Sequence, residues 1–227
     1  SMLFGAGVLM YARKFDREQD GASGRPKLSR GAELWYMRCA WLLAIGLLHA
    51  FGLWFGDILV WYAIAGLGIV WWVRRFRPGW LFALGAGLYL LGTGLLTGFM
   101  LLGMVFQGGE AMLGDYPGEL AAYTGSYLDG LLVRAGQLLF TYIFLLPLGF
   151  GFSISGLMIL GMALTRTGVL TGQRSDRFYL LTCLVGLTLG ISLTIAFLAL
   201  LDQTVELPGF IFMGAGQLVG IPTALGY

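Results

Sequence analysis

Residues 46–68 read GLLHAFGLWFGDILVWYAIAGLG, two apolar runs that meet at Trp54-Phe55-Gly56-Asp57. The stretch contains the only histidine of the protein, His49, and one of its few carboxylates next to long apolar runs, Asp57. Because an apolar helix of about 20 residues crosses the roughly 30 Å hydrocarbon core of a bilayer, we predict that the two runs form a helical hairpin in a membrane. The hairpin places His49 and Asp57 near the same membrane face.

The composition of the whole chain indicates the same environment. Hydrophobic residues make up 58% of the 227 residues and charged residues only 11%, and the mean hydropathy is +0.80. These values lie outside the usual range of soluble globular domains. The 37 glycines are also typical of membrane helices, which often approach one another through small residues.

The apolar runs predict an all-α fold, a polytopic bundle of about six or seven membrane helices that forms a single domain over residues 1–227. The predicted spans lie at about residues 1–12, 35–54, 58–73, 79–103, 138–163, 178–201 and 209–227. We expect the first and last to be incomplete and the chain to be the central part of a longer protein. The apolar stretch around Pro147 is longer than one span requires, so an interfacial lead-in and a kinked span both remain open.

The basic residues predict the orientation. All of them except Arg134 fall in three short segments, residues 13–38, 74–77 and 165–177. Positive charges in short loops stay on the cytoplasmic side, so these segments are predicted to be cytoplasmic. The outward-facing segments are then residues 54–57, 104–130 and 202–208. Because the basic residues follow topology, nothing indicates nucleic-acid binding, and we expect membrane lipids as the partners.

The cysteines and the single histidine predict neither a metal site nor a disulfide. One histidine and two separated cysteines, Cys39 and Cys183, do not have metal-ligand spacing. Both cysteines fall at predicted cytoplasmic ends of spans, where a structural disulfide is not expected.

His49 and Asp57 are the candidate catalytic pair. A neutral imidazole can take a proton from a hydroxyl, and a carboxylate on its other nitrogen fixes the tautomer and stabilises the imidazolium. The alternative is a buried histidine bound to a carbonyl, with Asp57 capping the N-terminus of the next helix. The spacing alone leaves both interpretations open.

Two further pairs of polar residues are candidates for binding. Arg134, followed by Gln137, can hold an anionic substrate or a lipid head group in the outer leaflet, or can simply extend its charge to the interface. Arg166 and Arg174 can contact the phosphates of a soluble cofactor, although topology alone requires such charges. No tightly bound cofactor is expected.

Three blocks of sequence resemble the YeiB-like bacterial inner-membrane proteins, a domain-of-unknown-function family. They are Leu3-Phe4-Gly5-Ala6-Gly7, the hairpin IGLLHAFGLWFGDILVWYAIAGLG at 45–68, and LGMALTRTGVLTGQRSDRFY at 160–179. The resemblance implies a bacterial inner membrane and, more distantly, a likeness to membrane acyltransferases that use a cytoplasmic donor such as acyl-CoA and an extracytoplasmic acceptor. It also implies that the key histidine of those enzymes precedes the block at Leu3, and that further spans flank this chain.

Three functions therefore remain. The first is a membrane acyltransferase, as the resemblance and the His49–Asp57 spacing imply. The second is a small-molecule transporter, which polar groups at membrane depth and the helix-kinking Pro147 would suit. The third is a non-catalytic membrane assembly protein, because the sequence contains no dense constellation of polar residues.

Overall fold

The computed structural model describes residues 1–19, 30–54, 56–107 and 116–203, and these residues form helices and the turns that join them. The α-helices are α1 (Met2–Gln19), α2 (Arg30–Gly52), α3 (Leu59–Ala65), α4 (Trp71–Val73), α5 (Pro78–Gln107), α6 (Tyr116–Thr124), α7 (Tyr127–Phe140), α8 (Gly151–Arg166) and α9 (Asp176–Gln203). Two π-helical segments, Gly66–Val70 and Thr141–Phe150, join α3 to α4 and α7 to α8. The predicted all-α fold is confirmed for this part of the chain.

Three stretches of helix in the described residues are long and apolar enough to cross a membrane. They are Gly31–Gly52, Pro78–Phe99 and Tyr127–Pro147. Shorter apolar helices cover Met2–Ala12, Leu59–Val73 and Gly151–Arg166. A chain with this many apolar helices is a membrane protein. The predicted span at 178–201 falls within α9, and the predicted span at 209–227 lies outside the described residues.

The predicted loop at residues 13–38 is too long at both ends. Helix α1 continues to Gln19, and α2 already begins at Arg30. The reason is that Arg, Lys, Glu and Gln are good helix formers, so a run of charges marks the end of the apolar stretch and not the end of the helix. Residues 20–29 lie outside the described part.

The other predicted outward segments are also partly helical. Residues 104–107 belong to α5, residues 116–124 form α6, and α7 begins at Tyr127. Residues 108–115 and 204–208 lie outside the described residues, as does Phe55 in the hairpin turn.

The helix breaks inside the predicted span at 138–163, where the sequence had left a kinked span open. Pro147 lies within the π-helical segment, and Gly149 has a non-helical backbone with φ 178° and ψ −39°. Proline has no N–H to continue the hydrogen-bond ladder, and its ring clashes with the carbonyl of the residue four positions earlier. A second break occurs at Gly68, with φ −82° and ψ −118°, which the sequence analysis did not predict.

The chain divides into two compact units. The first comprises Ser1–Gly92 with Gly118–Gly172, and the second comprises Thr93–Pro117 with Gln173–Tyr227. The single domain over residues 1–227 therefore stays a prediction. In the second unit the long helix α9 begins after Ser175, whose carbonyl accepts the Phe178 N–H at 2.9 Å.

Buried side chains of α1, α2, α4, α5 and α8 form the core of the first unit, among them Val8, Trp35, Cys39, Trp71, Leu81, Met158 and Met162. Close approach of α1 and α8 depends on two glycines. A Cβ on Gly5 would overlap the backbone of Met158, and one on Gly161 would overlap the backbone of Met2. Any side chain at these two positions would separate the helices.

Trp35 supports the broken helix of the hairpin. Its ring stacks on Trp71 with a centroid distance of 5.7 Å, and its indole N–H donates to the carbonyl of Gly66 at 3.0 Å. Gly66 is the first residue of the π-helical segment. The tryptophan thus gives a hydrogen-bond partner to the backbone where the helix changes its geometry.

Candidate functional site: a His–Asp pair at the hairpin turn

The hairpin brings His49 and Asp57 into contact. His49 lies in the last turn of α2, and Asp57 follows the turn that leads to α3. The His49 Nδ1 and the Asp57 Oδ1 are 2.9 Å apart, which is hydrogen-bond distance. The sequence-based expectation that the two lie at the same end of the hairpin is therefore met by direct contact.

Asp57 also caps the second helix of the hairpin. Its other oxygen, Oδ2, accepts the backbone N–H of Val60 at 3.0 Å, in the first turn of α3. The carboxylate is fully buried, whereas the His49 side chain is 36% exposed. The capping role and the histidine contact, which the sequence presented as alternatives, belong to the same carboxylate.

With Asp57 ionised, the contact selects one tautomer of the histidine. An ionised carboxylate can only accept hydrogen bonds, so Nδ1 carries the proton and donates it to Asp57. The lone pair of a neutral His49 is then on Nε2, which has no hydrogen-bond partner among the residues that the structure describes. A partly exposed imidazole held in this tautomer can act as a general base.

Arg134 and Tyr127 bind the end of α2 next to this pair. The Tyr127 hydroxyl donates to the carbonyl of Gly52 at 2.8 Å, and the Arg134 guanidinium donates through Nη1 to the carbonyl of Leu53 at 3.0 Å. Leu53 in turn donates its N–H to the His49 carbonyl at 2.8 Å. The residue whose carbonyl Arg134 binds is therefore one helical turn from His49. Helix C-termini have unpaired carbonyls and a negative dipole end, which these donors satisfy.

The sequence of α7 explains how Arg134 reaches this position. Gly130, Arg134 and Leu138 are buried and are spaced four residues apart, which places them on one face of the helix. The N-terminus of α7 is fixed by a capping box between Ser126 and Asp129. Asp129 therefore stabilises the N-terminus of α7.

The guanidinium of Arg134 has unused hydrogen-bonding capacity. The residue is buried, and its Nε has no hydrogen-bond partner among the described residues. Its charged group lies 5.3 Å from the ring centroid of Tyr127, and no carboxylate whose side chain the structure describes forms an ion pair with it. A buried cation in this state is suited to an anionic ligand.

Gln137 does not join this site through any described contact. Its Oε1 accepts a hydrogen bond from the Tyr123 hydroxyl at 3.0 Å, in an exposed position between α6 and α7. The pair joins the two helices. Its predicted role in substrate binding stays a prediction.

The two predicted phosphate-binding arginines lie in different units. In the first unit, the Arg166 guanidinium donates to the carbonyls of Arg74 and Phe76. This brings the basic loop after α4 to the end of α8. In the second unit, Arg174 is exposed, and its backbone N–H contacts the Tyr179 hydroxyl at 3.4 Å. Cofactor binding by either stays a prediction.

Tyr142 was missed by the sequence analysis. Its hydroxyl is buried without a hydrogen-bond partner among the described residues. Its ring packs edge-on against Trp61, with centroids 5.7 Å apart. Tyr142 is one of ten tyrosines in the chain and lies in an apolar run, so the sequence does not distinguish it from the others. Only the packing reveals its position next to the hairpin.

A metal site finds no support in the described stretches. There, no group of three or more histidine, cysteine, aspartate or glutamate side chains is arranged to hold an ion.

Comparison with known proteins gives one informative relative. The chain is 30% identical, over 236 aligned positions that include all of it, to a protein of Escherichia coli (strain K12) described as uncharacterized protein YeiB. The chain spans about 56% of the length of that relative. No family model matches the chain, and no solved structure matches it significantly.

Proposed function

We propose that this chain, which belongs to a YeiB-like family, is part of an inner-membrane acyltransferase that moves an acyl group from acyl-CoA to a hydroxyl acceptor outside the cytoplasm. The observation that carries the proposal is the 2.9 Å contact between the buried Asp57 carboxylate and the partly exposed His49 ring. This pair provides an oriented base at the edge of the membrane.

In the proposed reaction, Nε2 of His49 takes the proton of the acceptor hydroxyl. The hydroxyl oxygen attacks the thioester carbonyl carbon of the donor, and the C–S bond breaks. The imidazolium then returns its proton to the leaving thiolate, so the products are an ester and free coenzyme A. Asp57 stabilises the imidazolium while it exists, because its carboxylate is bonded to Nδ1.

Arg134 is the proposed anchor for an anionic group of the acceptor or donor. Its buried guanidinium holds the end of α2 with one nitrogen and leaves Nε unpaired among the described residues. Gln137, one turn further along α7, extends the polar surface. Arg166, in the first unit, is the proposed contact for the phosphates of the donor on the cytoplasmic side.

Two sets of contacts in the first unit support the proposed orientation. The segments assigned to the outside meet each other, since Tyr127 and Arg134 bind the carbonyls that end α2. The basic segments assigned to the cytoplasm also meet, since Arg166 binds the carbonyls of the loop after α4. Contacts of this kind are expected when each set shares one membrane face.

The direct test is label transfer in membrane vesicles that contain the full-length protein. We expect transfer from radiolabelled acyl-CoA to membrane material, and a loss of at least about a hundredfold in His49→Gln, as is usual when a general base is removed. Trp41→Phe is the matched control, because Trp41 is an exposed residue of the same helix. Full transfer by His49→Gln would refute its role, and no transfer by the unmodified protein would refute the acyltransferase.

A small-molecule transporter is the second candidate, because two helices of the first unit are broken, at Gly68 and at Gly149. Discontinuous helices are common at transporter binding sites. Solute uptake into vesicles that needs no acyl donor and survives His49→Gln would favour this function.

A further inference from the structure

A cavity of about 300 Å³ lies in the first unit where the two broken helices come together. Its lining is almost entirely apolar, with Trp61, Ile64, Ile69, Leu88, Leu146 and Phe152 as the larger side chains. The volume is at the small end of the range of about 300 to 1,000 Å³ that is typical of ligand pockets.

Both helix breaks contribute backbone to the cavity. Gly68 belongs to the first break, and Pro147 and Gly151 flank the second at Gly149. At membrane depth, non-helical backbone is tolerated only where it is buried in protein or lines a cavity. The two breaks therefore build the cavity.

Trp61 connects the cavity to the His–Asp pair. It lines the cavity and follows Val60, whose backbone N–H is bound by Asp57. Its ring also packs edge-on against Tyr142. The cavity lining thus begins one residue after Val60, whose N–H Asp57 binds.

We propose that this cavity binds the hydrocarbon chain of the acyl donor. The inference rests on the proposed function, which it extends by assigning a long acyl chain to the donor. The lining contains no charged side chain, and the Ser155 hydroxyl is its one side-chain polar group other than the Trp61 indole, so a polar solute would lose its hydration without replacement. A chain of methylene groups is the ligand that this lining fits.

A chain can enter from the bilayer. Ile64, Ile69 and Phe152 line the cavity and are each between 36% and 38% exposed. The lipid phase therefore reaches the cavity without passage through the polar end of the molecule. For the same reason a membrane phospholipid is the competing occupant, and the test must separate the two sources.

Gly68→Leu places a side chain in the cavity. A Cβ at Gly68 would meet no atom within 4 Å, and the residue lines the cavity. Gly87→Leu is the matched control, since Gly87 is an exposed helical glycine that also has open space around it and lies outside the lining. Both changes add the same side chain.

The experiment counts chains retained by the purified full-length protein in native mass spectrometry, with palmitoyl-CoA, coenzyme A and phosphatidylglycerol as probes. We expect the unmodified protein and Gly87→Leu to retain palmitoyl-CoA but not coenzyme A. We expect Gly68→Leu to bind it at least about tenfold more weakly. Each methylene group kept out of an apolar pocket lowers affinity about fourfold, so two such groups already exceed tenfold.

Three outcomes would overturn the inference. They are equal retention by Gly68→Leu and Gly87→Leu, retention of coenzyme A that equals that of palmitoyl-CoA, and displacement of palmitoyl-CoA by an equal amount of phosphatidylglycerol. Failure of the proposed function is a separate result, because chain binding that depends on Gly68 without label transfer would leave the cavity assigned and refute the acyltransferase.

Discussion

Replacing Asp57 by asparagine and by alanine separates the two tasks of its carboxylate. The carboxylate accepts Val60 N–H at 3.0 Å and the His49 ring at 2.9 Å in a fully buried position. Asp57→Ala removes both acceptors. Loss of the cap costs about 1 kcal/mol, and a buried donor without a partner costs a further 1 to 3 kcal/mol or so. We therefore expect about 3 kcal/mol of destabilisation, which lowers the Tm by about 9 °C in a chain of this size.

Asp57→Asn keeps one oxygen for Val60 N–H, so we expect a stability within about 1 kcal/mol of the unmodified protein. Its amide nitrogen then faces Nδ1 of His49 and donates to it, which moves the imidazole proton to Nε2. The base is lost although the fold remains. The wrong tautomer in a serine protease triad lowers kcat by about 10⁴, and we expect a loss on the order of 10³ or more here.

The assays are thermal unfolding of the purified protein in detergent, followed by tryptophan fluorescence, and acyl transfer in vesicles. If asparagine destabilises as much as alanine, the cap does not work through the Val60 N–H as described. If asparagine leaves transfer unchanged, the contact between His49 and Asp57 has no part in the reaction. Either result would refute the reasoning for that half of the site.

Other expectations follow from contacts in the first unit and from the proposed topology. Arg134→Met removes a charged donor from the end of α2, and because such a hydrogen bond is worth about 1.5 to 3 kcal/mol, we expect the Tm to fall by about 4 to 8 °C in thermal unfolding; an unchanged Tm would contradict the capping role. Gly5→Ala drives a Cβ into the Met158 backbone whereas Gly7→Ala meets open space, so the first should lower the Tm by several degrees and the second should not. In a background without native cysteines, a membrane-impermeant maleimide should label Trp54→Cys in intact cells and Gln173→Cys only after permeabilisation; the reverse pattern would invert the orientation.

The hairpin and its polar pair were predictable from the sequence because their causes are local. Two apolar runs separated by a short turn must fold back on each other, and His49 and Asp57 both lie beside that turn. The contact distance itself was not predictable, since the spacing of eight residues is compatible with either a capping or a paired carboxylate. The structure gives Asp57 both partners.

The rest of the site depends on contacts between distant parts of the chain. Arg134 binds a backbone carbonyl 81 positions away, and every residue has such a carbonyl, so no residue type signals the partner. Pro147 predicted one helix break. Gly68 is one glycine among 37, so the sequence did not predict the other break. The cavity forms only where the two breaks meet. It could not be predicted from the sequence, because one of the breaks could not be predicted.

The chemistry of the cap favours a role for Asp57 beyond structure. A neutral serine, threonine or asparagine caps a helix about as well as aspartate does. Burying a charged carboxylate is costly unless the charge is compensated, so a neutral cap would bind the Val60 N–H at a lower cost in free energy. The ionised form is needed where a positive charge develops beside it. Among the described residues, the group at hydrogen-bond distance that can gain a positive charge is the His49 ring. A buried carboxylate between a helix end and an exposed imidazole is therefore best explained by an imidazolium that forms during function.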